Sequence, residues 1–316
     1  MSAPYLHELT LRLALGAASL DRSLIQTHTT WLRSQQAEDG GFAGREGDCD
    51  PYYTAFALRA LWVTAGLDAP IAEQSGKFLR DRLQNRESII DMISLIFAAA
   101  ICEMSVGEVV LPDEESNQDH SWRSKVALLL ESLRTSDGGY AKTPEGKAGS
   151  TYQTFLTVLC YQLIELPIPD QDRILAFLES QKHPEGGYLE IRAAKRAGVN
   201  PTAAAIGTLK ALGYLNPQNQ RDTIDFLTEM QSDEGGLTAN TRIPFADLLS
   251  TFTGLLTLID LEAIENIDLN AIRRYALSMQ SPSGGFYGFA LDETADVEYS
   301  FYGIATLALC QTHTLS

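Results

Sequence analysis

Basic residues are scarce in this chain. Lysine and arginine number 24 against 41 acidic residues, for a net charge of -17 over 316 residues. Nucleic acid is bound by neutralising phosphates with Lys and Arg, so this balance excludes it as a partner. It also argues against a strongly anionic membrane surface as the main partner. Long apolar runs are missing too, and nothing approaches the ~20 residues of a membrane span. The opening stretch MSAPYLHELTLRLALGAAS has no basic n-region and carries Glu8 and Arg12, so a secretory signal is not expected. The four cysteines, Cys49, Cys102, Cys160 and Cys310, form no CxxC pair. They read as reduced thiols of a cytoplasmic protein, not as a disulfide framework.

What the chain has in quantity is a repeat. FLESQKHPEGGYLEI at 177–191 returns as FLTEMQSDEGGLTAN and again as YALSMQSPSGGFYGF. The first glycine of each pair falls at Gly40, Gly138, Gly186, Gly235 and Gly284, in steps of 98, 48, 49 and 49. The first step is two periods, with a degenerate unit centred near residue 89. Six units follow, each of about 49 residues. In each, a first helix such as DQDRILAFLESQ carries charges on one face and ends at a glycine turn, where a positive φ is needed. A polar loop leads to a second helix, such as TAAAIGTLKAL or LSTFTGLLTLI, that is apolar nearly all round and must be buried. Outer and inner helices in alternation predict an all-α protein, a six-hairpin α/α barrel forming one domain over 1–316. An open superhelix is the alternative, but its polar end caps are not evident.

The stretches QAEDGGFAGREGDCDPYYTAFALRAL at 36–61 and DVEYSFYGIATLAL at 296–309 resemble repeats of the prenyltransferase and squalene-cyclase superfamily, most of all the β subunits of protein geranylgeranyltransferases of the Rab type. The resemblance covers essentially the whole chain. It implies an α/α toroid around an aromatic-lined central cavity, with a helical α-subunit-like partner or a homo-oligomer as further expectations. Family prenyltransferases hold zinc with an Asp-x-Cys and a His. Those positions here are Asp247, Leu249 and Tyr299, so two of three ligands are missing and no metal site is expected. None of the five histidines (His7, His28, His120, His183, His313) stands at an inner-helix start. Magnesium enters only with a diphosphate substrate. The family's diphosphate contacts do not carry over cleanly, but Arg192, Lys195 and Arg196 in EIRAAKRAG, with Arg242, stand just before inner helices as candidate anchors.

Aromatic residues gather at the inner-helix starts, and Tyr53, Tyr152, Phe252 and Tyr302 are the candidates to contact a prenyl chain. Acids recur at the same level: Asp48, Asp50, Asp91, Asp247, Asp296 and Glu298. The ordinary role of an Asp there is a helix cap. The functional alternative is an acid that an apolar site keeps protonated, able to protonate an alkene. Asp247 is the first candidate because it keeps a family ligand position within apolar RIPFADLLSTF, with Tyr299 and Asp50 beside it as catalytic candidates. DCDP at 48–51 half matches the acidic motif that class II terpene cyclases of this superfamily use. The reading is an isoprenoid-processing enzyme of the prenyltransferase type without zinc. An acid-initiated terpenoid cyclase and a non-catalytic lipid-binding protein are the alternatives.

Overall fold

In the computed structural model the described residues are 4–82, 89–107, 110–111 and 121–314. They contain thirteen α-helices. The first, α1 (Tyr5–Ala17), precedes six hairpins. These pair α2 (Arg22–Ser34) with α3 (Pro51–Val63), α4 (Ala69–Arg82) with α5 (Ile89–Val106), and α6 (Trp122–Glu131) with α7 (Thr151–Leu163). They continue with α8 (Gln171–Ser180) and α9 (Val199–Ala211), α10 (Arg221–Glu229) and α11 (Leu248–Asp260), and α12 (Leu269–Ser278) and α13 (Val297–Thr314). The expected hairpins are therefore present, including the degenerate second one, whose inner helix starts at residue 89. The turn of that second hairpin, residues 83–88, lies outside the described residues, as does His120. The chain divides into two compact units: Met1–Leu6 with Glu114–Ala271, and His7–Asp113 with Ile272–Ser316.

One joint is rebuilt in five of the hairpins. The residue after the glycine pair, or in the fifth hairpin the one beyond it, forms an isolated β-bridge to the residue that opens the inner helix or the one before it: Phe42 to Asp50, Tyr140 to Ser150, Tyr188 to Gly198, Thr238 to Ala246 and Phe286 to Asp296. A hydroxyl in the first turn of the inner helix then accepts the backbone N–H of the residue that follows the glycine pair. Thr54 takes Phe42, Thr154 takes Tyr140, Thr202 takes Tyr188, Thr251 takes Leu237 and Ser300 takes Phe286, all at 2.9–3.0 Å. These buried donors would otherwise have no partner within the turn, and burying a bare N–H is costly. The inner helix is opened by a side-chain cap in most repeats. Asp50, Ser150 and Asp247 each accept the N–H three residues on, while Gly198 has no side chain to offer.

In the first unit α7, α9 and α11 pack in succession. They run parallel. At their starts Thr151 N–H donates to the Glu190 carbonyl and Val199 N–H to the Ala239 carbonyl, both at 2.9 Å. At their ends Gln162 reaches the Ala211 carbonyl at 3.0 Å and Lys210 pairs with Asp260 at 2.6 Å. Asp260 is buried, and the Tyr5 hydroxyl donates to its other oxygen at 3.0 Å.

In the second unit α13 packs on α3, and α3 packs on α5. The inner helix of the last repeat thus lies against that of the first. Helix α1 seats tightly on α13: a Cβ on Gly16 of α1 would stand 2.2 Å from the Ala308 carbonyl oxygen of α13. The last glycine turn docks on α2 through His28, which is buried. Its Nδ1 accepts Gly285 N–H at 3.0 Å, which fixes the proton on Nε2, 3.0 Å from the Gln280 side-chain Oε1. Burial holds the His28 pKa below its ordinary value of 6.5, with the Gln280 hydrogen bond opposing the shift. Below that value the unfolded chain binds a proton that folded His28 refuses, so its contribution is full above about pH 6.5 and is lost as the pH falls through it. The urea midpoint is expected to drop between pH 7.5 and 5.5, at no more than about 1.4 kcal/mol per pH unit for this one proton. His28→Gln should flatten that decline. An unchanged slope in the variant would remove His28 from the explanation.

Candidate active site

The repeat separates ordinary acids from an unusual one. Asp50, Asp247 and Asp296 occupy the same cap position in three hairpins, accepting the backbone N–H of Tyr53, Ser250 and Tyr299 at 2.7–2.8 Å. Two residues further on, the side chains no longer repeat: Tyr52, Tyr152, Asn200, Leu249 and Glu298. Caps recur because hairpins recur. Among these five inner helices Glu298 is the one acid at that position, while α5 carries Asp91 in its first turn.

Glu298 stands in the first turn of α13, half-buried among aromatic rings of the second unit. Its Oε1 accepts the Tyr52 hydroxyl at 2.7 Å and the Tyr302 hydroxyl at 3.2 Å. Tyr52 meets Phe56 edge-on at 5.0 Å. Phe56 in turn lies 5.3 Å from Tyr302 and 5.5 Å from Phe301. These side chains converge because α13 and α3 pack together and place their starts side by side. Burial pushes the Glu298 pKa above the ordinary carboxylate value. Asp296 adds to the shift, while the Tyr52 and Tyr302 hydrogen bonds and Arg45 oppose it. Removing a carboxylate's water disfavours its charged form, and the helix N-terminus does not restore enough.

Arg45, from the loop before α3, fixes the rim of this cluster. It makes a bidentate pair with Asp292 at 2.6 and 2.9 Å and reaches Asp296 at 2.7 Å. Its guanidinium lies 5.4 Å from the centre of the Tyr299 ring. A planar guanidinium suits both partners at once. The Asp292 carboxyl is held below its usual range: burial raises it, but the Arg45 hydrogen bond and the Gly288 N–H outweigh that. Asp50, the cap of α3, is pushed up by burial, with Asp91 adding repulsion and the Tyr53 N–H opposing.

The sequence candidates fall into two groups. Asp50, Tyr53, Tyr299 and Tyr302 belong to the second unit, and of these Tyr302 hydrogen-bonds Glu298 directly. Tyr53 is half-buried and meets Tyr52 at 5.2 Å, and Tyr299 meets Tyr302 at 6.0 Å. Asp247, Tyr152, Phe252 and the four cations belong to the first unit. Phe252 is buried within α11, and Tyr152 is 36% exposed at the start of α7. Arg192, Lys195 and Arg242 are exposed on loops. Arg196 pairs with Glu185 at 3.1 Å and donates to the Thr241 hydroxyl at 3.0 Å, joining two neighbouring loops. Asp247 has a pKa raised by burial, against the opposing hydrogen bonds of Ser250. Yet both its oxygens are taken, one by Ser250 N–H at 2.7 Å and one by the Ser250 hydroxyl at 2.8 Å.

Zinc does not fit these residues. Asp247 is engaged as a cap, Leu249 offers no donor, and the Tyr299 ring lies under Arg45. Among the described residues no three His, Cys, Asp or Glu side chains converge as metal ligands. None of the described helices is long and apolar enough to cross a membrane.

Comparison with known proteins places this architecture. The profile of the prenyltransferase alpha-alpha toroid domain matches residues 5–189 and 202–316. The β subunit of geranylgeranyl transferase type-1 from Arabidopsis thaliana is 24% identical over 234 residues, which is 69% of this chain and 60% of that protein. The chain thus spans less than two thirds of that relative's length. Protein geranylgeranyltransferase-I of Candida albicans, solved with GGPP, superposes with a TM-score of 0.67 at 17% identity, over 90% of this chain and 91% of the other. The type II terpene cyclase MstE of Scytonema, solved with geranylgeranyl dihydroxybenzoate, gives a TM-score of 0.61 at 13% identity, over 98% and 100%. At such identities the two structures share the fold with this chain, and reaction chemistry does not follow from fold alone. The six hairpins, the recurring joint and the profile match agree: the chain belongs to the prenyltransferase alpha-alpha toroid family.

Proposed function

We propose that this chain is an isoprenoid-processing enzyme in which the prenyl chain lies against the aromatic cluster of α3 and α13. In this reading Glu298 is the proton donor to one of the chain's double bonds. The observation that carries it is the Glu298 carboxyl, raised in pKa and held by two tyrosine hydroxyls among Tyr52, Phe56, Phe301 and Tyr302. The Glu298 O–H bond breaks, a C–H bond forms at one alkene carbon, and the positive charge appears on the other. Aromatic faces stabilise such a cation by their quadrupoles, an attraction of ~2 kcal/mol or more where water is excluded. An internal double bond then attacks the cation, and a proton leaves to close the cycle. The tyrosine hydroxyls hold the acid in place and keep the proton on the side facing the chain. A bound hydrocarbon removes more water and raises the carboxyl further.

The second reading is transfer of a prenyl group from a diphosphate. The exposed cations Arg192, Lys195 and Arg242 near the starts of α9 and α11 favour it. Magnesium would accompany the diphosphate there.

The two readings separate in one experiment. Purified protein is incubated with geranylgeraniol or with geranylgeranyl diphosphate, and native mass spectra are combined with product analysis. The expected result is an isomer of unchanged mass and fewer double bonds from the alcohol, insensitive to a chelator. Its rate should fall as the pH rises through the raised Glu298 pKa, because only the protonated carboxyl donates. Diphosphate release as the sole reaction would favour the second reading. Bound but unaltered polyene would leave a lipid-binding protein. The same spectra report whether the chain self-associates or needs a further subunit.

A further inference from the structure

The loops that lead into the inner helices differ in charge between the two units. In the first unit residues 141–150, 189–198 and 239–247 lead into α7, α9 and α11. They hold six cations, Lys142, Lys147, Arg192, Lys195, Arg196 and Arg242, against three acids. In the second unit residues 43–50 and 287–296, leading into α3 and α13, hold one cation and six acids. Because α7, α9 and α11 run parallel, the first three loops stand at one end of their unit, and Arg196 joins two of them through Thr241. The other five cations are exposed, and among the described residues no carboxylate pairs with them. Large apolar side chains are exposed on the same loops: Ile191 by 41%, Ile243 by 44% and Phe245 by 46%. Ile191 precedes Arg192 and Ile243 follows Arg242. Solvation of a loop calls for cations but not for these apolar residues, and a free anion bound there would leave them in water.

We propose that these three loops dock the protein on an anionic phospholipid surface. The cations meet the headgroup phosphates and carboxylates, and Ile191, Ile243 and Phe245 enter the boundary with the acyl chains. The inference goes beyond the Glu298 chemistry and does not depend on it. The net charge of -17 opposes such a surface only as an average over the molecule. At physiological salt, charges more than about 8 Å away are screened, so the loops that touch the surface decide the sign of the interaction. Each Lys or Arg close to acidic lipid strengthens binding about fivefold. The apolar side chains add an attraction that salt does not weaken. A bilayer takes up apolar side chains from separate loops without a matching groove, which a folded acidic partner would have to supply.

The test is sedimentation of the full chain with vesicles of phosphatidylcholine alone and of phosphatidylcholine mixed with phosphatidylserine. The mixed vesicles are expected to bind about a hundredfold or more tightly, with an advantage that shrinks as salt is added. Arg192→Gln, Lys195→Gln and Arg242→Gln together should weaken that binding about a hundredfold. Lys77→Gln, Arg221→Gln and Arg273→Gln, exposed on α4, α10 and α12, change the net charge equally and should alter it no more than about twofold. Ile191→Ser with Ile243→Ser should weaken it about tenfold, the worth of two partly buried side chains. Should that pair fail to fold, Phe245→Trp reports insertion directly, through a blue shift of its emission on the mixed vesicles. No binding to the mixed vesicles overturns the proposal, and so does equal binding to both kinds. Equal losses in the two triple variants would also overturn it, by reducing the effect to net charge. Displacement by inorganic diphosphate, with no effect of the isoleucine changes, would make the loops a site for a free anion and overturn it too.

Discussion

Glu298→Gln is expected to lower turnover by about a hundredfold to ten-thousandfold, the range a positioned general acid contributes. Affinity for the prenyl ligand should stay within about twofold. Glutamine keeps the shape of the side chain and an oxygen that can still accept from Tyr52 and Tyr302. What it loses is the transferable proton. An effect on the rate without an effect on binding is the signature of an interaction made in the transition state only. Asp247→Asn is the matching control. Its carboxylate accepts from Ser250 N–H and O–H as a helix cap, and asparagine caps nearly as well. Turnover of that variant should stay within a few fold of wild type. Loss of activity in Asp247→Asn with Glu298→Gln intact would reverse the assignment.

The contrast between these two acids shows what a sequence of this kind reveals and what it hides. The joints are legible because they recur: glycine pairs in steps of 48 or 49, and Asp50, Asp247 and Asp296 as caps. Thr54, Thr154, Thr202, Thr251 and Ser300 follow the same period, but their partners are backbone amides, which carry no letter in the sequence. Asp247 attracts attention because it keeps a family ligand position. Glu298 lacks that mark. Its acidity depends on burial and on hydroxyls of Tyr302, one helical turn away, and of Tyr52, 246 residues away. The first of these is readable at i+4 spacing. The second needs α3 beside α13. The one available signal was negative: at the position two after the cap, Glu298 is the only acid among Tyr52, Tyr152, Asn200, Leu249 and Glu298. Helix α1 escaped for a related reason, since it stands outside the repeat.

The largest expected loss of stability comes from the joint itself, at Gly186→Ala. Gly186 has a φ of +97°, and an added Cβ would stand 2.1 Å from the Asp222 carbonyl oxygen in the first turn of α10. Two costs follow, and a second glycine separates them. Gly213, after α9, has a φ of +77° with nothing within 4 Å of its Cβ position. Gly213→Ala therefore meets only the backbone penalty of the left-handed region, ~1–2 kcal/mol. Gly186→Ala meets that penalty and a clash with backbone that no rotamer relieves. The turn must move off α10, and with it goes the hydrogen bond from the Thr223 hydroxyl to the Gly186 carbonyl at 3.0 Å. A loss of ~4 kcal/mol is expected, at the upper end for a single substitution. Urea unfolding of the two variants beside wild type measures the difference. A gap of ~2 kcal/mol or more between them means that the turn's close seat on the next outer helix holds adjacent repeats together. Equal losses would mean that glycine recurs in this chain for its backbone conformation alone, and that the hairpins owe their contacts to the inner helices.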